Sequence, residues 1–159
     1  MTILIADMLI TLLLCFLGRL ITSNAQSAED LGICALVAST NIEQVGNWSC
    51  SNMSIPISDP CRWYGVTCST STIRQIELIN IALVGTLPDT LYELQNLYYL
   101  KIQGTSLYGS IPTTMDQGPP LVYLYLDFNS LTGSIPIELG LQSELKYRIW
   151  QYFKSIITC

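Results

Sequence analysis

Three consecutive segments of equal length, Ile73 to Asn96, Leu97 to Pro120 and Leu121 to Glu144, align on one another position by position. Apolar side chains recur at the first, fourth and sixth positions: Ile73, Ile76, Leu78; Leu97, Leu100, Ile102; Leu121, Leu124, Leu126. The eleventh position holds Leu83, Leu107 and Leu131. Each copy then carries a glycine (Gly85, Gly109, Gly133), an aliphatic residue (Leu87, Ile111, Ile135) and a proline (Pro88, Pro112, Pro136). Such a repeat limits the fold more tightly than composition does, because every copy must take one local structure and bury its apolar face against the next. The fourth and sixth positions have period two, which predicts short strands near 76–78, 100–102 and 124–126 with the apolar members inward. One strand cannot hide that face alone. Side-by-side stacking closes a continuous core, the glycine permits a backbone angle that other residues resist, and the proline stops the strand, so the expected architecture is a solenoid with a parallel sheet. Three copies are near the minimum for such a core, and both ends need caps.

At these positions the chain resembles plant-type leucine-rich repeats, the L-x-x-L-x-L-x-x-N-x-L-x-G-x-I-P pattern of receptor-kinase ectodomains and polygalacturonase-inhibiting proteins, over residues 33–144. The resemblance implies an α/β solenoid: a short right-handed superhelix with a parallel concave sheet, a second short strand around Gly85, Gly109 and Gly133, and a disulfide-bonded N-terminal cap. In the pattern an Asn side chain bonds backbone groups of adjacent turns, and here that position holds Ile81, Thr105 and Asn129. Thr105 substitutes in part through its hydroxyl. Ile81 cannot, so the first turn must satisfy its backbone otherwise or be irregular. Upstream, the segment from Cys61 to Cys68 (Cys-Arg-Trp-Tyr-Gly-Val-Thr-Cys) resembles the C-x-W-x-G-V-x-C end of the plant-type capping module, which implies a Cys61–Cys68 disulfide. Cys34 with Cys50 is a second candidate bridge. Residues 33–45 read as a short helix whose Ala35, Leu36 and Val37 lie over the first repeat, and Trp48 resembles the family's tryptophan after that helix.

The compartment follows from the N-terminus and the cysteines. An apolar run from Met8 to Leu17, followed by small residues at Ser23 and Ala25, reads as a signal peptide over residues 1–25. An uncleaved anchor is the rival, but the stretch between Asp7 and Arg19 is only eleven residues, against roughly 20 for a spanning helix. Removal of Cys15 with that segment leaves Cys34, Cys50, Cys61, Cys68 and Cys159, an odd count with one thiol unpaired or intermolecular. Asn47 and Asn52 each begin a glycosylation tripeptide. The expected chain is therefore secreted or displayed at the cell surface, with a cap over 26–72, repeats over 73–144 and a tail over 145–159. In that tail Leu145 keeps the repeat register, but Arg148 and Trp150 fall where leucine is expected. Leu145, Ile149, Tyr152, Phe153 and Ile156 stand at helical spacing, which reads either as an amphipathic capping helix or as the truncated end of a longer repeat protein.

Charge and composition narrow the function. Twelve carboxylates against seven Lys and Arg give a net charge of −5, which argues against a nucleic-acid partner. The chain has no His, so the commonest neutral-pH base and nitrogen metal ligand are missing, and neither a metal nor a cofactor is expected. Of the carboxylates available to an enzyme, Asp127 falls on the strand face while Asp116 and Glu138 fall on the opposite arc, so no catalytic pair is expected. The residues between the buried strand positions form columns on the exposed face: Arg74, Tyr98, Val122; Gln75, Tyr99, Tyr123; Glu77, Lys101, Tyr125; Ile79, Gln103, Asp127; and Asn80, Gly104, Phe128. Glu77, Tyr98, Tyr99, Lys101, Tyr123, Tyr125, Asp127 and Phe128 are the candidate ligand-binding residues, since aromatics supply contact area with few rotatable bonds. The competing reading makes these tyrosines plain cover for a β surface. A binding module for a protein, peptide or polysaccharide is the expected function, without stable membrane insertion unless the N-terminal segment is an uncleaved anchor. A structural wall or matrix protein assembled through its repeats and spare cysteine is the alternative.

Overall fold

The computed structural model describes residues 27–51, 55–56, 58–118, 121–141, 145 and 147–149. The expected signal peptide, Asn52, and the tail residues 150–159 with Tyr152, Phe153, Ile156 and Cys159 lie outside them.

Helix α1 (Ala28–Ser39) begins at Ser27, whose hydroxyl accepts from the Asp30 amide at 2.9 Å while the Asp30 carboxylate accepts from the Ser27 amide at 3.2 Å. This reciprocal box satisfies two amides that the first turn leaves without partners. The helix buries Gly32, Ile33, Cys34, Leu36 and Val37. Instead of running to residue 45 as one helix, the chain breaks at Thr40 and Asn41 and resumes as α2 (Ile42–Val45). The break has a cause in the first repeat. Thr40 is extended and bridges to Gly85, and the Thr86 amide donates to the Ser39 carbonyl at 3.0 Å. A side chain on Gly85 would run into that same carbonyl, and its φ is +147°, so glycine is required where cap meets repeat.

Strands β1 (Cys50–Ser51) and β2 (Ile55–Pro56) form a small antiparallel pair. Cys50 is bonded to Cys34, and Cys61 to Cys68, with Cα separations of 5.8 and 5.5 Å. Behind them the Trp48 and Trp63 rings lie 5.3 Å apart, and their indole N–H groups reach the Tyr64 carbonyl at 2.8 Å and the Ser58 hydroxyl at 2.7 Å. β3 (Val66–Ser69) then pairs antiparallel with β4 (Thr72–Ile79) through a two-residue turn in which Thr70 and Ser71 both have positive φ, matching the twist of the flanking strands.

After β5 (Val84–Gly85), the chain crosses through a 3-10 segment (Asp89–Glu93) to β6 (Tyr99–Gln103), then β7 (Ser106–Gly109) and a second 3-10 segment (Thr113–Asp116). It continues through β8 (Tyr123–Tyr125), β9 (Ser130–Leu131), helix α3 (Glu138–Leu141) and β10 (Tyr147–Ile149). The large sheet runs β10-β8-β6-β4-β3, and a three-stranded sheet runs β5-β7-β9. In the large sheet every parallel pairing is offset by one full repeat: Ile76 opposite Leu100, Leu100 opposite Leu124, Tyr99 opposite Tyr123. Ile76, Leu78, Leu100, Ile102, Leu124 and Leu126 are all buried, with Leu83, Leu107 and Leu131 behind them.

Of the two readings of the tail, the capping helix does not hold over residues 147–149. Residues 147–149 form a strand paired parallel with β8, placing Arg148 opposite Leu124. Helical spacing of a few apolar residues is outweighed here by the open backbone edge of β8, whose carbonyls and amides gain partners only from another strand.

Asn129 bonds the last turns together. Its amide donates to the carbonyls of Ile102 at 2.7 Å, Leu126 at 3.1 Å and Asp127 at 3.3 Å, and its oxygen accepts from the Leu107 amide at 3.2 Å and from the Thr105 hydroxyl. Where the first turn has Ile81, Asn41 of the cap replaces it: the Val84 amide donates to its oxygen at 2.6 Å, and its amide reaches the Ala82 carbonyl at 3.1 Å. Among the described residues, no helix is long and apolar enough to cross a membrane.

Asn129→Ala strands these backbone groups and is expected to lower the unfolding free energy by about 2–4 kcal/mol in urea denaturation; a loss under about 0.5 kcal/mol would show that water replaces the side chain. Gly65, at φ +75°, abuts the Glu77 carbonyl where a Cβ would sit. Gly65→Ala is expected to cost about 2 kcal/mol or more in the same assay.

Candidate functional site

The alternation of β6 and β8 leaves one set of side chains partly exposed on the outer face of the large sheet. Register then fixes their neighbours. Tyr99 stands opposite Tyr123 with ring centroids 5.6 Å apart, and 5.8 Å from the Tyr125 ring. Lys101, between Glu77 and Tyr125 in its column, sits 3.4 Å from the Glu77 carboxylate and 5.6 Å from the centre of the Tyr125 ring. Lys101 is thus held by a charge on one side and a ring on the other. Burial, followed by the negative charge of Glu77, raises the Tyr99 phenol above its ordinary value, which keeps it a protonated donor.

The predicted residues are not all brought together. Tyr98 lies apart from the trio of rings: its hydroxyl accepts from the Gln75 side chain, and Arg74 lies over its ring at 5.2 Å. Phe128 is 52% exposed, has a left-handed backbone at φ +55° and makes no ring contact with the trio. Asp127, expected as an accessible ligand contact, is instead 4% exposed. Its side chain shares the outer face with Gln103, which donates to its Oδ2, and that packing is what alternation alone does not reveal.

Sequence reasoning missed Tyr64. It lies in the cap, outside the periodic columns, yet with Gly65, Val66, Thr67, Glu77 and Ile79 it lines an open notch of about 350 Å³ at the β3 edge of the same face. The C-x-W-x-G-V-x-C segment carried the only available signal, an exposed aromatic beside Gly65. On the opposite side, Leu91, Tyr92, Leu94, Leu97, Met115, Gly118 and Leu121 enclose only about 20 Å³ between the two 3-10 segments, about the room of one water.

Asn47 ties the cap together, donating to the Arg62 carbonyl at 3.0 Å and accepting from the Tyr64 amide at 2.6 Å. Among the described residues there is no group of three or more His, Cys, Asp or Glu side chains placed to hold a metal ion. Asp116 and Glu138 belong to the 3-10 segment and helix α3 that follow the strands, in different crossings from Asp127.

No family model matches the chain, and none of the curated proteins matches it in sequence. Solved structures do. A chain of the BIR3–SERK2 complex from Arabidopsis thaliana superposes with a TM-score of 0.55 at 31% identity, covering 68% of this chain and 62% of that one. The BIR2 ectodomain from Arabidopsis thaliana gives 0.59 at 30% identity, covering 73% and 64%. The LRR ectodomain of the plant membrane receptor kinase GASSHO1/SCHENGEN3 from Arabidopsis thaliana, in complex with CASPARIAN STRIP INTEGRITY FACTOR 2, gives 0.51 at 32% identity, covering 53% and 10%. This chain therefore spans less than two thirds of the length of the first two. Its repeat-by-repeat parallel register, its two disulfides and these likenesses make it a plant-type leucine-rich-repeat protein.

Proposed function

We propose that the chain is an extracellular or cell-surface binding module that recognises a protein or peptide on the outer face of its large sheet, in a receptor-like or inhibitor-like role. The single observation that carries this is the packed trio of Tyr99, Tyr123 and Tyr125 beside the Glu77–Lys101 pair. Plain surface cover needs no such arrangement. Here Tyr125, one ring of the packed trio, lies beside a cation that Glu77 holds, an amphipathic patch of the kind that concentrates binding energy. Likeness to chains solved in a complex with another protein and with a factor that a receptor kinase binds supports a macromolecular ligand over a polysaccharide.

In this reading residues 1–25 are a signal peptide, 26–72 a cap, 73–144 three repeats and 145–159 an end segment. The repeats wind as a right-handed solenoid whose large sheet is concave. Tyr98 and Phe128 lie at the margin of the ligand footprint, Asp127 beneath it, and Asn47 and Asn52 are glycan acceptors on the cap.

The test begins with capture of a partner from extracellular extract by the secreted chain, followed by titration calorimetry with variants. Replacing Tyr99 and Tyr123 together with Ala is expected to weaken binding by about 2 kcal/mol or more, roughly 30-fold in Kd, with the fold intact. Thr113 and Gln117 are exposed on the second 3-10 segment and its end. Their double Ala variant should stay within about 0.5 kcal/mol. Equal effects from the two pairs would place the ligand elsewhere.

A further inference from the structure

Near its start β4 carries one residue more than its antiparallel partner β3: Thr67 pairs with Gln75 and Cys68 with Ile73, so Arg74 has no opposite number on β3. Such a bulge re-aims a side chain. Ile73 and Ile76 are buried, and the two residues between them, Arg74 and Gln75, are both partly exposed. The Arg74 guanidinium lies over the Tyr98 ring, 5.2 Å from its centre. Gln75 donates to the Tyr98 hydroxyl, which leaves the phenol proton without an acceptor among the described residues. Charge sets this corner apart. Arg62 is paired with Asp59 and Lys101 with Glu77, whereas the Arg74 guanidinium has neither an ion pair nor a hydrogen bond among the described residues. Attraction to a ring face uses none of a guanidinium's N–H donors, so all of them stand ready for an acceptor.

We propose that Arg74 and Tyr98 form a subsite for a carboxylate of a peptide or protein ligand, at the margin of the outer face where the strands begin. The two oxygens of a carboxylate match the planar fork of a guanidinium, and the Tyr98 hydroxyl, fixed by Gln75, supplies a further donor beside it. Gln75 stands opposite Tyr99, so the corner adjoins the tyrosine trio. Charge complementarity selects the ligand group: Glu77 neutralises Lys101, and Arg74 is left as the excess charge among the partly exposed charged side chains of this face. This inference rests on the proposed binding face and adds to it the sign of the charge recognised at its margin. The competing occupant is the chain's own Glu29, whose carboxylate accepts from the Ile73 amide at 3.0 Å, one residue from Arg74.

The experiment titrates the full secreted chain with N-acetylglycine, a terminal carboxylate, with the α-amide of N-acetylglutamate, a side-chain carboxylate, and with N-acetylglycinamide, the uncharged control. NMR follows the Arg74 side-chain Nε–H and the backbone amides of Arg74, Gln75 and Tyr98. Saturable shifts are expected with a carboxylate probe at about 10 mM or below, and none with the control. The carboxylate that binds more tightly names the source, a chain terminus or an acidic side chain. Arg74→Gln should weaken the response about tenfold or more, Arg74→Lys, which keeps the charge without the fork, about fivefold, and Tyr98→Phe about threefold. Since Arg74 is partly exposed and unpaired, Arg74→Gln should melt within about 2 °C of the parent, which separates lost binding from lost fold. An equal response to the uncharged control, or a carboxylate response that Arg74→Gln retains, overturns the proposal. So does a response confined to Glu29→Gln, which would mean that the chain's own carboxylate fills the corner. Failure of this subsite leaves the binding face standing if the Tyr99 and Tyr123 double variant still loses the captured partner; if that variant binds as the parent does, the face itself fails.

Discussion

Everything in this chain depends on one strand being unable to bury its own apolar face. Leu100 and Ile102 on β6 are fully buried only because Ile76 and Leu78 lie on one side and Leu124 and Leu126 on the other, each one repeat away. A slip of one residue in that register would turn all of these aliphatic side chains toward water and bring Tyr99 and Lys101 inward. The register is therefore strongly fixed by burial. Each fully buried aliphatic side chain contributes on the order of 2 kcal/mol, and a turn contributes several. The same dependence marks the boundary of the core. Leu87 and Ile111, at one repeat position, are 5% and 2% exposed, while their counterpart Ile135 is 42% exposed.

Stacking so many short turns creates a second problem, which is backbone polarity. Residues leaving each strand bend sharply, and their amides and carbonyls face neither a helix nor a long sheet. Asn129 meets that need from within its own turn, bonding carbonyls in two successive repeats. The first turn meets it from outside, through Asn41, and this explains why α1 ends where it does: a helix continuing through residue 41 would carry that side chain away from Val84. Cap and repeats are consequently one cooperative unit, joined by backbone bonds at residues 39–41 and 84–86 and held on the cap side by the two disulfides.

Periodicity made the fold legible. The strands of the large sheet lie where Ile76, Leu100 and Leu124 predicted them, because a repeated pattern averages away the weak preference of any one segment. The end segment had two readings, a capping helix and the truncated end of a longer repeat protein; backbone pairing with β8 decides against the helix at 147–149, and no side-chain pattern reports an open edge. The candidate site was legible as columns but not as contacts. Glu77 beside Lys101 follows from register alone, whereas the burial of Asp127 depends on how Gln103 and its neighbours pack, and Tyr64 enters the face from a non-repeating cap.

The outer face can vary in chemistry because the buried core takes only alternate residues of the same strands. Inward positions are all aliphatic, and substitution there changes the core. Outward positions on β6 and β8 hold tyrosine, lysine and glutamine without disturbing the register. Separation of the two roles is incomplete at the ends of the strands, where the chain turns. There Asp127 is drawn under the surface although it belongs to the outward set, and Phe128 takes a left-handed backbone that its column fills elsewhere with Asn80 and Gly104. Both departures cost stability, since an unpaired buried acceptor and a bulky residue at positive φ are each unfavourable. They stand side by side in sequence just after Tyr125, so the least relaxed part of the sheet is the turn where the outward set of β8 ends.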